Sequence, residues 1–190
     1  PLSRDYVLID RPAGEFPVTL SSDTTVTRLR TAEPFVINGR VLTVLDTAVF
    51  EAPVSLASGA RLDGNVVELG AGLILTNGTG DRTLRAREIR NAGLVHWKTG
   101  GLAFGSEAHF RNLPGGEFRI DKAGPPADLV RLGGAEGGDE PPFLNEGLFR
   151  KTGGTERISV ESLNLDNAGR IAVEAGALEL SGFITNRGTI

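Results

Sequence analysis

The chain has 190 residues, a formal net charge of −4 and no cysteine, so disulfides and thiolate metal sites are excluded. Lys and Arg are scattered singly with no aromatic interleaving, which makes nucleic acid a poor partner. The 26 glycines and 10 prolines imply many turns, while a hydrophobic content of 39% implies a packed core rather than a disordered chain.

Taken in chain order, residues 1–19 combine Pro1, Pro12 and Pro17 with Tyr6, Val7, Leu8, Ile9 and Phe16, and are expected to form an N-terminal cap or lead-in. Residues 20–190 are expected to form one repetitive domain. In its first half, short apolar runs such as Val41-Leu42, Val44-Leu45 and Val66-Val67 fall between Gly, Asn or Asp corners. From residue 91 a template recurs: Asn, any residue, Gly, any residue, apolar. It is read at Asn91-Ala92-Gly93-Leu94-Val95, Asn145-Glu146-Gly147-Leu148-Phe149, Asn167-Ala168-Gly169-Arg170-Ile171 and Asn186-Arg187-Gly188-Thr189-Ile190, and with two extra residues from Asn112 to Phe118. The steps between these asparagines are 21, 33, 22 and 19 residues, and they use five of the nine asparagines in the chain. The long step contains a Pro- and Gly-rich stretch, residues 121–142, which is expected to leave the repeat as a protrusion and rejoin before Asn145.

Between corners the apolar period is two, as in Arg170–Glu174 and Ala177–Ser181, which is the pattern of half-buried strands. A fixed repeat near twenty residues with period-two strands fits coils that stack on themselves. The expected fold is all-β: a right-handed parallel β-helix (β-solenoid) with coils of about 20 residues, long enough for eight or nine coils. Val95, Phe118, Phe149, Ile171 and Ile190 would form one inward column, and Asn91, Asn112, Asn145, Asn167 and Asn186 a structural corner whose amides bond from coil to coil. A second column, Trp97, Ile120, Lys151 and Val173, is interrupted by Lys151, where the strand is expected to bend outward ahead of Gly153-Gly154.

The stretch Phe143–Ile190, FLNEGLFRKTGGTERISVESLNLDNAGRIAVEAGALELSGFITNRGTI, resembles the β-helical repeats of large secreted bacterial surface proteins, of the filamentous-haemagglutinin-like and autotransporter-passenger-like kinds; residues 91–112 look like another such coil. The resemblance implies placement outside the cell or on its surface, and adhesive, scaffolding or spacer roles. It supplies no active-site motif. A chain that lacks Met and stops inside a repeat is expected to be part of a longer one, with an apolar C-terminal edge open to further coils or to end-to-end or edge self-association.

Parallel β-helices also carry carbohydrate chemistry, and glycoside hydrolysis normally needs two flanking carboxylates. The motifs such enzymes share, Asn-Thr-Asp, Asp-Asp and Gly-His-Gly, do not occur. His96 beside Trp97 could form a sugar platform, although surface His and core Trp is the simpler reading; His109 beside Phe110 reads the same way. In the insertion, Asp128, Arg131, Glu136, Asp139 and Glu140 are the candidate binding residues, but Gly133–Asp139 does not match the calcium nonapeptide and a solvated loop is the simpler reading. No metal or cofactor is expected. The expected function is a non-catalytic structural or adhesive module with a carbohydrate or cell-surface ligand as partner; the alternative is a carbohydrate-active enzyme or sugar-binding module on the same fold.

Overall fold

The computed structural model describes residues 5–10, 16–75, 78, 80–105, 107–121, 141–155, 157–160 and 164–190. Every described element is a β-strand, and every strand pairing is parallel. Consecutive strands in sequence do not pair; each pairs with its counterpart one coil away, about 21 residues on. This is the β-solenoid that the repeat implies, since only stacking on the next copy provides each short strand with a backbone partner.

One face is built from β1 (Tyr6–Ile9), β3 (Thr24–Thr31), β5 (Val41–Phe50), β7 (Arg61–Leu69), β9 (Arg82–Asn91), β12 (His109–Asn112), β14 (Pro142–Asn145), β17 (Asn164–Asn167) and β20 (Ile184–Asn186), in that order. A second face runs β2 (Val18–Leu20), β4 (Phe35–Ile37), β6 (Val54–Leu56), β8 (Gly72–Leu75), β10 (Leu94–Trp97), β13 (Glu117–Ile120), β15 (Leu148–Lys151) and β18 (Arg170–Val173). Its eight rungs are separated by seven turns, fewer than the chain length alone allows; the 33-residue step takes up part of the surplus. The long strands β5, β7 and β9 span two faces, and β5 carries an extra residue that shifts its register against both β3 and β7. Later coils divide that span: β11 (Leu102–Phe104) pairs with the first part of β9 and β12 with the last part, while β16 (Arg157–Val160) and β19 (Ala177–Leu180) pair with each other on the third side.

Alternation along each strand puts one set of side chains inside. On the first face Leu29, Ala48, Val67, Ile89, Phe110, Phe143 and Leu165 stack in register and are buried. On the second, the column expected at Val95, Phe118, Phe149 and Ile171 is present and extends back through Leu73, Val54 and Phe35. Ile190 lies just past the bridge between Arg170 and Thr189 and is 75% exposed. Phenylalanines fill the middle coils: the Phe110 and Phe143 rings stack at 4.8 Å, with Phe118 set edge-on to both.

The corner between these faces is the asparagine column. Asn91, Asn112, Asn145, Asn167 and Asn186 are paired in register, and each is the last residue of its strand. Each of the first four side-chain amides donates to the Oδ1 of the next coil: Asn91 to Asn112 and Asn112 to Asn145 at 2.8 Å, Asn145 to Asn167 and Asn167 to Asn186 at 2.7 Å. The same nitrogens also donate to backbone carbonyls around the turn, among them Gly93, Leu148 and Arg170. Going toward the N-terminus the column continues as Leu69, Phe50 and Thr31, all buried. The first-half coils therefore have the same corner without the amide ladder. Because Leu69 offers no donor, the buried Asn91 Oδ1 is left without a partner. The Gly after each corner is fixed by close approach: a Cβ at Gly147 would meet the Gly116 carbonyl, and one at Gly169 the Gly147 carbonyl.

Lys151 corrects an expectation. The strand does not bend outward; Lys151 is fully buried in the column between Ile120 and Val173. Its ammonium donates to the carbonyls of Gly153 (2.6 Å), Gly154 (2.9 Å) and Ala175 (2.7 Å). A turn of its own coil and one of the next thus supply the oxygens that a buried ammonium requires. Arg82 does the same elsewhere, donating to the carbonyls of Gly80 (2.9 Å), Thr99 (2.7 Å) and Gly78 (3.1 Å).

Tyr6–Ile9, within the segment 1–19 expected as cap or lead-in, and Val18–Leu20, which crosses its end, pair in parallel as rungs of the two faces. The chain re-enters the first face at Pro142, with Phe143 opposite Phe110. The protrusion expected over 121–142 falls mostly on residues 122–140, outside the described residues.

Candidate functional site

Outward side chains stack in columns as the inward ones do, so chemistry on this surface comes in rows along the axis. One row is Val66, Glu88 and His109, paired in register; the next is Glu68, Arg90, Arg111 and Leu144. Of these, Val66, Glu88, His109, Arg111 and Leu144, together with Asn65, Arg87, Phe110 and Pro142, line an open groove of about 630 Å³ across β7, β9, β12 and β14. Asn65 and Arg87 fall at a gap in the β7–β9 pairing, between Gly64↔Ala86 and Val66↔Glu88, with the register the same on either side.

Most charges here are already paired. Arg90 binds both oxygens of Glu88, at 2.7 and 3.0 Å, and reaches Glu68 at 3.1 Å. Arg111 holds Glu146 through two bonds, at 2.6 and 3.0 Å. The Arg90 hydrogen bonds are the main cause that keeps the Glu88 carboxyl below its ordinary range, burial opposing them. Glu88 is thus a fixed carboxylate and not a proton donor near neutral pH. Arg87 differs. It is exposed and has no hydrogen-bond or ion-pair partner among the described residues. The groove therefore offers one open guanidinium, an imidazole and an amide, over an apolar floor of Val66, Leu144 and Pro142.

The pair singled out in the sequence does not form a platform. Trp97 is fully buried, edge-on to Phe118 at 6.4 Å, and its indole N–H donates to the Gly100 carbonyl at 2.9 Å. No ring face remains for a sugar. His96 does point outward, with its Nε2 3.2 Å from the Asp121 carboxylate. Asp128, Arg131, Glu136, Asp139 and Glu140 lie outside the described residues. Among the described residues no three His, Asp or Glu side chains are placed to share a metal ion. Arg87, Asn65 and Glu88 were not found from the sequence. Their only signal there is alternation along 61–69 and 82–91, which gives a direction but not the neighbours one coil away. No family model, no curated protein and no solved structure matches the chain.

Proposed function

We propose that the chain is a non-catalytic structural or adhesive section of a secreted or surface-exposed bacterial protein, a rigid β-solenoid spacer. The observation that supports this reading most is the continuity of the links between coils. The asparagine ladder joins five successive corners inside. Outside, ion pairs join neighbouring coils: Arg28 to Asp46, Arg30 to Glu51, Arg90 to Glu68, Arg111 to Glu146, Arg150 to both Glu117 and Glu174, and Arg187 to Asp166. Such cross-links resist bending and shear along the axis, which is what a spacer needs and a catalytic cleft does not. The likeness of residues 91–190 to the repeats of secreted surface proteins points the same way.

The absence of cysteine makes the test direct. Spin labels at Ser22→Cys and Ala168→Cys, both exposed and several coils apart, report the end-to-end distance distribution of the full chain. The expected result is a single narrow distribution. A broad or two-peaked one overturns the rigid-spacer reading, and release of new sugar ends from a polysaccharide panel overturns the non-catalytic one.

A further inference from the structure

The groove across β7, β9, β12 and β14 goes further than a smooth spacer surface requires. We infer that it binds a carboxylate-bearing oligosaccharide running parallel to the solenoid axis, with the Arg87 guanidinium on a uronate carboxylate. This rests on the adhesive side of the proposed function and gives it a ligand class.

Three features carry the inference. First, Arg87 is exposed and unpartnered among the described residues, whereas the arginines beside it, Arg90 and Arg111, are fixed by carboxylates. A planar fork of donors left open matches a planar carboxylate. Second, the lining repeats at the strand spacing, about 4.8 Å. An equatorially linked pyranose chain advances by about one such spacing per ring, so successive rings meet equivalent positions on successive coils. An extended peptide advances about 3.4 Å per residue and falls out of step. Third, the chemistry suits a sugar's two aspects: Val66, Leu144 and Pro142 offer an apolar floor to ring C–H groups, and Asn65 and His109 offer hydrogen bonds to hydroxyls. Four strands give three spacings, room for roughly three rings. Nucleic acid fits poorly, because Phe110 is buried and the lining offers bases no exposed phenyl, phenol or indole ring to stack on.

Calorimetric titration of the full chain with three ribbon-shaped ligands of one backbone geometry tests this: tetramannuronate, uncharged cellotetraose and sulfated cellotetraose. The expected result is saturable binding of tetramannuronate, at least tenfold weaker binding of cellotetraose, and a loss of tenfold or more in Arg87→Gln, with Lys98→Gln, just past β10, unchanged. Because the Arg87 side chain is exposed, its replacement leaves the fold intact, which an unaltered circular dichroism spectrum checks. Failure of tetramannuronate to bind, equal binding of cellotetraose, or an unaffected Arg87→Gln overturns the inference. Tight binding of the sulfated ligand alone overturns the carboxylate assignment. None of these outcomes alters the spin-label distance distribution, so the groove can fail while the spacer reading stands.

Discussion

Leucine placed in the asparagine ladder should cost very different amounts at its start and in its middle. At Asn91 the Oδ1 is already without a partner. Asn91→Leu removes that orphan and creates one, because Asn112 Oδ1 loses its donor. The number of buried unpartnered oxygens is unchanged, and the apolar run Phe50-Leu69 gains a member. The expected change in unfolding free energy is within about 1 kcal/mol. At Asn145 the outcome differs. Asn145→Leu strands Asn167 Oδ1 while the Asn91 orphan persists, and it takes an acceptor from Asn112, whose amide keeps only the Gly116 and Leu148 carbonyls. One new buried orphan costs about 1–3 kcal/mol and the further lost bond about 1, for a total of about 2–4 kcal/mol. Urea unfolding, followed in parallel by far-ultraviolet circular dichroism and by the single tryptophan, Trp97, measures both. Equal losses at the two positions, or none at Asn145, would refute the claim that the ladder's cost lies at its ends.

Lys151→Met keeps most of the side chain's length but leaves the carbonyls of Gly153, Gly154 and Ala175 without their ammonium, and should lower stability by about 2–4 kcal/mol in the same urea assay. Gly147→Ala, whose Cβ would strike the Gly116 backbone, should cost several times more than Gly115→Ala, where nothing lies within 4 Å and only the positive φ of 88° must be overcome, at about 1 kcal/mol. Thermal melting of the two alanine variants side by side ranks them, and equal shifts would remove the close-approach explanation. Acid should weaken the fold through its ion pairs. Burial raises the Glu117 carboxyl, but its bonds to Arg119 and Arg150 outweigh this and hold it below its ordinary 4.5; Glu88 and Glu146 are held low by Arg90 and Arg111. Folded values below unfolded ones mean that the unfolded chain binds more protons, so this stability is present above about pH 5 and is lost as pH falls through the folded values. A urea midpoint that stays flat from pH 6 to pH 3 would contradict this.

The fold was legible because its strongest signal is periodic. Asn-x-Gly at 91, 145, 167 and 186 marks positions that must match their own copies, and a side chain that bonds to itself cannot drift. The same corner was fainter before residue 91, where Leu69, Phe50 and Thr31 fill it with residues common anywhere in the chain. Lys151 was misread because its acceptors are backbone carbonyls of turns, one of them 24 residues away, and composition does not reveal where a carbonyl points. Trp97 was half legible: alternation placed it inward, but burial of its whole ring followed from the next coil's Phe118. The groove was not legible, since it depends on side chains from four strands whose register is set by the stack as a whole.

The ladder also bears on how such a chain can change length. Its unsatisfied oxygen sits at one end, and each internal rung receives one bond and gives one. Copying a whole coil within the Asn145–Asn167 step, a 22-residue duplication in the gene, would insert a rung that finds both partners waiting and adds no new orphan. Point changes at a rung are penalised while unequal recombination between coils is not. Selection on such an architecture would therefore preserve the corner letters while letting the number of coils vary between otherwise similar chains.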